Sequence, residues 1–166
     1  MNPGFSAFRK QITHPLRFRL FMLRSLPAAF FAGLRIISLD EHQAVIAAKY
    51  KWFNQNPFRS MYFAIQSMAA EMSTGLLGFG QAYQRKPAVS MLVVGLEATF
   101  IKKITGTVLF TCSDGESVSR AIENAINTGE GVIVKCRSAG TNEAGETVAE
   151  FFITWSFKVK SIKSNI

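Results

Sequence analysis

The sequence predicts an α+β domain in which an antiparallel sheet encloses one long apolar helix. Two observations lead to this prediction. The segment from about 58 to 78 is apolar nearly all round, which is typical of a buried helix. The segment 148–160 alternates apolar and polar side chains, broken only at Phe152, as expected for a half-buried antiparallel strand. With 166 residues, of which 48% are hydrophobic, the chain is expected to form a single domain over 1–166 with its core at about 34–160.

The other elements follow from short apolar runs separated by polar turns. A short N-terminal helix is predicted over about 15–26, because Pro favours the first turn of a helix. Further strands are predicted at 34–39, 43–50, 88–101, 106–113 and 132–137. An amphipathic helix over 117–127 lies between the later strands. Gly75, Gly78 and Gly80 are expected to end the long helix.

The N-terminal segment is basic. The first acidic residue is Asp40, and the basic residues before it include Lys10, Arg17, Arg19, Arg24 and Arg35. The longest uncharged run of this segment, 25–34, is too short to span a bilayer, and the interleaved arginines argue against a secretory signal. We expect the helix at 15–26 to pack on the domain, with peripheral contact to a membrane surface as the alternative.

The net charge of +8 favours anionic partners but is weak as an indication of function. No nucleic-acid binding is expected, because the aromatic residues alternate at core-facing positions instead of interleaving with basic ones. Cys112 and Cys136 are predicted to be reduced core thiols of a cytoplasmic protein, with a disulfide between strands as the alternative. No metal site is predicted, and His14 and His42 are expected at the surface or at helix caps.

The long helix carries a single carboxylate, Glu71. At about 100° per residue, Ser60, Ser67, Glu71 and Thr74 fall on one narrow stripe, with only small residues such as Ala64 among them. This stripe has two interpretations. In the first, the stripe packs closely against another helix, and hydroxyl groups or a lysine hold Glu71. In the second, the stripe lines a groove in which Glu71, with a raised pKa, acts as a base.

The run NPFRSMYFAIQSMAAEMSTG, followed by VSMLVVGLEATFIKKITGTVLF, resembles the hotdog-fold acyl-CoA thioesterases of the phenylacetate-degradation type. It is more similar still to their uncharacterised thioesterase-like relatives. The resemblance covers about 34–160 and implies the hotdog fold and hydrolysis of an acyl thioester. It also implies an acyl-CoA or fatty-acyl ligand, no cofactor other than the coenzyme A of the substrate, and a homodimer or homotetramer with composite sites at the interface.

In that family an Asn-containing loop leads to His-Gly-Gly at the start of the central helix, and the catalytic carboxylate follows two turns later. Carried over, Glu71 is the general base or nucleophile, Asn56 positions water or substrate, and the backbone N–H of Phe63 stabilises the oxyanion. The expected substrate-binding residues are Ser60, Ala64, Ser67, Thr74, Lys102 and Lys103, the two lysines being placed to meet coenzyme A phosphates or to form a solvated corner. Tyr62-Phe63-Ala64 stands where the family has His-Gly-Gly. The chain is therefore expected to be a thioesterase of altered specificity or an inactive domain that binds an acyl chain or lipid.

Overall fold

The computed structural model describes residues 2–160 and has the predicted α+β architecture. Its helices are α1 (Phe5–Ile12), α2 (Pro15–Ser25), α3 (Pro27–Ala32), α4 (Phe63–Ala82) and α5 (Gly115–Thr128), with a short 3-10 helix at Trp52–Asn54. Its strands are β1 (Arg35–Leu39), β2 (Ala44–Lys49), β3 (Val89–Phe100), β4 (Thr107–Cys112), β5 (Val132–Asn142) and β6 (Thr147–Val159). The six strands form one sheet in the order β1-β2-β4-β5-β6-β3, and every neighbouring pair is antiparallel.

The core lies between this sheet and α4. Strand β6 points Phe151, Ile153 and Phe157 into the core, and all three are fully buried, as their alternation predicts. Helices α4 and α5 contact each other and both lie against β5 and β6, so they share one face of the sheet. Strand β5 continues five residues past its predicted end, because Ser138–Thr141 also pair with β6.

The central helix begins later than predicted. It was expected from about residue 58, but it starts at Phe63. The reason is a turn built by a side chain: Asn56 Oδ1 accepts hydrogen bonds from the backbone N–H of Phe58 at 2.9 Å and of Ser60 at 3.2 Å. Asn side chains that bond nearby backbone in this way compete with helix formation.

The central helix also ends later, at Ala82, so the prediction that its glycines end it was wrong. The glycines instead allow close packing. A Cβ on Gly80 would lie 2.6 Å from Phe5 Cδ2, and a Cβ on Gly78 would lie 2.8 Å from Met91 Cε. Gly80 therefore lets α1 lie directly on α4.

Three N-terminal helices stand where one was predicted. Helix α2 matches the predicted segment, but α1 and α3 were not predicted. Pro15 and Pro27 occupy the first positions of α2 and α3, where proline is tolerated, and so divide the segment. Asn2 ties the segment to the end of α4, because its Nδ2 donates to the carbonyls of Gly80 at 2.9 Å and Tyr83 at 2.7 Å. We call residues 5–32 the N-terminal cap.

Both cysteines, Cys112 and Cys136, are buried free thiols. Within residues 2–160, none of the helices combines the length and apolar character that crossing a membrane requires.

Candidate active site

A cavity of about 290 Å³ lies between the N-terminal cap and α4. Its walls are mainly apolar: α1 contributes Phe8 and Ile12, α2 contributes Phe21, and α4 contributes Met72, Gly75, Leu76 and Phe79. Among residues 2–160, Glu71 is the only charged residue that lines it. The polar side chains of Gln11 and Tyr83 also line it. The cavity thus has the composition expected of a site for an apolar chain, with a few polar groups at its wall.

Glu71 is half-buried, and its carboxylate accepts no hydrogen bond and forms no ion pair with any group in residues 2–160. Burial raises the pKa of the Glu71 carboxyl above its ordinary value, because desolvation disfavours the charged form. Glu71 also borders a second cavity of about 250 Å³ between α4 and the start of α3. The Glu71 side chain therefore borders two cavities, and its carboxyl holds a proton more tightly than an exposed one does.

A separate groove of about 510 Å³ lies at the start of α4 and brings together five of the predicted site residues. These are Asn56, Ser60, Phe63, Lys102 and Lys103. Within residues 2–160, the backbone N–H groups of Phe63 and Ala64 find no acceptor, as is usual at a helix start. Such free N–H groups at a helix N-terminus favour negative charge.

The polar side chains in this groove differ in whether they already have a hydrogen-bond or ion-pair partner. Asn56 Oδ1 is used by its turn, and the buried Ser60 Oγ donates to it at 3.3 Å. Lys102 Nζ is paired with Glu146 Oε1 at 2.6 Å. Lys103 is exposed and forms no ion pair with residues 2–160. Lys103 is therefore the free cation of this groove.

One polar residue of the groove, Gln66, was missed by the sequence reasoning. It is buried, its Nε2 donates to Met61 O at 3.2 Å, and its Oε1 has no partner within the described residues. An amide on an otherwise apolar helix was the signal that could have found it. Its free oxygen is an acceptor for a donor bound in the groove.

The predicted stripe on α4 forms only in part. Ser60 precedes the helix. Thr74 is fully buried, where its Oγ1 donates to Glu71 O at 2.9 Å and accepts from Trp155 Nε1 at 2.9 Å, so it holds α4 to β6. Ala64, Ser67 and Glu71 do share a half-exposed face. Ser67 Oγ donates to Phe63 O at 3.0 Å, within its own helix.

The structure thus does not bring all the predicted site residues together. Phe63 and Glu71 are eight residues apart on one straight helix, or about 12 Å along its axis. A single chain therefore does not place the Phe63 N–H and the Glu71 carboxylate on one reacting group. The cap residues around Glu71, such as Phe8 and Ile12, were also missed, although their helical spacing from Phe5 was a local signal of an apolar face.

No protein-family model and no curated protein sequence matches the chain. Solved structures do resemble it. A protein of unknown function from Pseudomonas aeruginosa, described as a probable thioesterase, superposes with a TM-score of 0.73 at 20% identity, over 90% of this chain and 99% of that one. The PaaI protein from the phenylacetic acid degradation operon of E. coli gives 0.64 at 17% identity, over 95% and 97%. A thioesterase from Haemophilus influenzae gives 0.64 at 14% identity, over 88% and 92%. These likenesses and the arrangement of α4 on its six-stranded antiparallel sheet show that this chain has the predicted hotdog fold.

Proposed function

We propose that the chain hydrolyses an acyl thioester of coenzyme A, with Glu71 acting at the carbonyl group. The observation that carries this proposal is an unpaired carboxylate in the wall of an apolar cavity. Buried carboxylates that serve structure are normally paired or hydrogen-bonded. Glu71 has neither kind of partner among residues 2–160, so its desolvation has no structural compensation there.

In the proposed reaction the acyl chain occupies the cavity under the N-terminal cap. Glu71 accepts a proton from water as the water oxygen attacks the thioester carbonyl carbon. The C–S bond then breaks, the sulfur takes up the proton, and the products are a carboxylic acid and the free thiol. In the alternative route the Glu71 carboxylate attacks the carbonyl carbon directly, the C–S bond breaks and the thiolate leaves, and water then hydrolyses the resulting anhydride to the carboxylic acid and free Glu71.

The groove at the start of α4 supplies the complementary groups. The backbone N–H of Phe63 is proposed to stabilise the oxyanion, and Lys103 to meet a phosphate of coenzyme A. Asn56 is proposed to hold the loop before α4 in place through the turn that its side chain forms. Because this groove and Glu71 lie about 12 Å apart along α4, the complete site requires a second copy of the chain.

A homodimer with a two-fold axis near Ser67 meets this requirement. Phe63 and Glu71 are each four residues from Ser67, so two antiparallel copies of α4 crossing there place Phe63 of one copy opposite Glu71 of the other. Ala64 and Ser67 are small enough for close helix contact. Strand β3 lies at the edge of the sheet and exposes Leu92, which supports a dimer that joins two β3 edges.

The hydrolysis is tested by following thiol release from a panel of acyl-CoAs. Glu71→Gln is expected to lower kcat by at least about 100-fold, because general-base catalysis contributes about 10²–10⁴. Glu130→Gln, which removes an exposed carboxylate that forms no ion pair within residues 2–160, is the matched control and is expected to keep full activity. Equal thiol release by wild type and both Glu71→Gln and Glu71→Ala would overturn the assignment.

The dimer is tested by Ser67→Cys, because a residue on a two-fold axis meets its own copy. Under mild oxidation this variant is expected to form a disulfide-linked dimer. Ser117→Cys, at a position of similar exposure on α5, is the control and is expected to run as a monomer on the same non-reducing gel. The two native thiols are buried and do not compete. Cross-linking at Ser117 but not at Ser67 contradicts the arrangement.

A second candidate is an inactive domain that binds an acyl chain. The observation in its favour is that Phe63 carries a ring at the oxyanion position, packed on Tyr62 at 4.8 Å and on Phe100 at 6.2 Å between centroids. This ring stands beside the N–H that a thioester oxygen has to reach. Tight binding of a fluorescent fatty acid with no thiol release from any acyl-CoA, unchanged by Glu71→Gln, supports this candidate over hydrolysis.

A further inference from the structure

We propose that the outer face of α2 docks on the surface of a membrane containing anionic lipid. Leu16, Leu20 and Leu23 project from this face and are 75%, 67% and 47% exposed. They stand at helical positions i, i+4 and i+7 and so form one line along α2, which we call the leucine stripe. The opposite face of α2 is buried on the domain through Phe18 and Met22. The packing of α2 on its own chain therefore leaves the leucine stripe uncovered.

Arginines border the leucine stripe on both sides. At about 100° per residue, Arg17 and Arg24 lie on one flank and Arg19 lies on the other. All three are exposed, and none forms an ion pair with residues 2–160. A helix that lies in a membrane interface has this pattern, because leucines enter the acyl boundary while arginine stems reach back to the headgroups.

The charge of the whole segment fits an anionic surface. Residues 1–39 contain six basic side chains and no acidic one, so they supply +6 of the net charge of +8. The basic residues are Arg9, Lys10, Arg17, Arg19, Arg24 and Arg35. Anionic headgroups attract such clusters, and each residue near the surface strengthens binding about fivefold.

An aromatic cluster extends the surface beside α2. Arg19 Cζ lies 5.4 Å from the ring centre of Phe30, which packs on Phe31 at 5.4 Å. Phe31 packs in turn on Phe53 at 6.3 Å, and the two rings are 55% and 51% exposed. Lys51 Nζ lies 5.9 Å from the Phe53 ring. Phe rings and leucines on one side, next to basic residues, are typical of surfaces that lie in a membrane interface.

Two other partners fit this surface less well. A second copy that presented the same face would bring arginines against arginines, because no acidic residue occurs before Asp40. Nucleic acid would satisfy the arginines, but the leucine stripe would gain nothing from a polar phosphate backbone. The membrane surface is the partner that uses both the leucines and the arginines.

The test is flotation of the full chain with vesicles of phosphatidylcholine alone or with about 30% phosphatidylglycerol. We expect binding to the anionic vesicles only, and release at about 1 M salt, where screening is nearly complete. Replacing Arg17, Arg19 and Arg24 together by Gln is expected to weaken binding about 100-fold. Replacing the three leucines of the leucine stripe by Gln, which keeps the helix propensity, is expected to weaken it at least about tenfold.

The controls away from α2 are Ile133→Gln, which removes an apolar side chain 64% exposed on β5, and the double variant Arg120→Gln with Lys158→Gln, which removes two exposed cations, of which Arg120 is paired with Glu116. They are expected to bind vesicles like wild type, and so is Glu71→Gln, which separates docking from the proposed hydrolysis. Circular dichroism and melting curves identify any variant that has lost its fold. The proposal is overturned by absence of vesicle binding at low salt, by equal binding of the leucine variant, or by a higher oligomer that the leucine variant loses. The proposal is also overturned if the chain binds DNA or RNA through the arginines alone and does not bind vesicles.

Discussion

The contact of Phe5 with Gly80 holds the N-terminal cap on α4, and Gly80→Ala tests its importance. The added Cβ would lie 2.6 Å from Phe5 Cδ2 and 3.0 Å from Phe5 Cζ. Carbon atoms normally approach to about 3.5–4.0 Å, so the ring has to retreat by about 1 Å. Phe5 is only 1% exposed, and overpacking such a site costs about 1–3 kcal/mol. Replacing a helical glycine by alanine stabilises the helix by about 1 kcal/mol, so we expect the free energy of unfolding to fall by a net amount of about 0–2 kcal/mol.

Gly78→Ala is the control with the same gain in helix propensity. Its Cβ meets Met91 Cε at 2.8 Å, which is the movable end of a flexible side chain, and Phe157 at 3.3 Å. We expect Gly80→Ala to be less stable than Gly78→Ala by about 1–2 kcal/mol, or about 2–8 °C in Tm for a chain of this size. Urea and thermal unfolding of both variants give the comparison. If Gly80→Ala equals or exceeds Gly78→Ala in stability, the packing argument for the cap is refuted.

Three further predictions concern buried polar groups. Because burial raises the pKa of the Glu71 carboxyl, the folded chain holds this proton more tightly than the unfolded chain, and the free energy of unfolding falls as pH rises through the raised pKa. Glu71→Gln is therefore expected to melt at a higher Tm than wild type at neutral pH. In acid, where wild-type Glu71 is protonated, the two Tm values should be equal. The fully buried Asn54 donates to two backbone carbonyls at 2.9 and 2.8 Å, so Asn54→Ala is expected to cost about 2–4 kcal/mol in urea unfolding, and a cost below that of an average surface change would contradict this. Trp155→Phe removes the hydrogen bond to Thr74 and is expected to cost about 1–2 kcal/mol without changing kcat, whereas a large fall in kcat would give Thr74 a role in the reaction.

The strands and the core could be predicted from the sequence because their signal is local. The alternation along β6 fixes which side chains face α4, and the structure confirms it at Phe151, Ile153 and Phe157. The start of α4 could not be predicted from apolar periodicity, because the Asn56 side chain builds a turn where the pattern continues. The role of Gly80 depends on Phe5, a residue 75 positions earlier, so no local pattern contains it.

The candidate site could be predicted only in part, for the same reason. Glu71 was singled out because a carboxylate on an apolar helix is unusual, and its helix is a local feature. The cavity beside it depends on Phe8, Phe21 and Tyr83, which come from three different segments of the chain. The grouping of Asn56 with Lys103 likewise depends on how the loop after β3 folds back onto the start of α4.

The hydrogen bonds of Asn2 link residues 78 to 81 positions apart in the chain. Closing such long loops is entropically costly, so α1 cannot dock until the last turn of α4 has formed. We therefore expect the N-terminal cap to detach before the sheet unfolds, and its amide protons to exchange before those of β6. Detachment would uncover Glu71 and its cavity while the sheet stays intact. For the proposed reaction, this gives a bulky acyl chain a way into the cavity that does not require the whole chain to unfold.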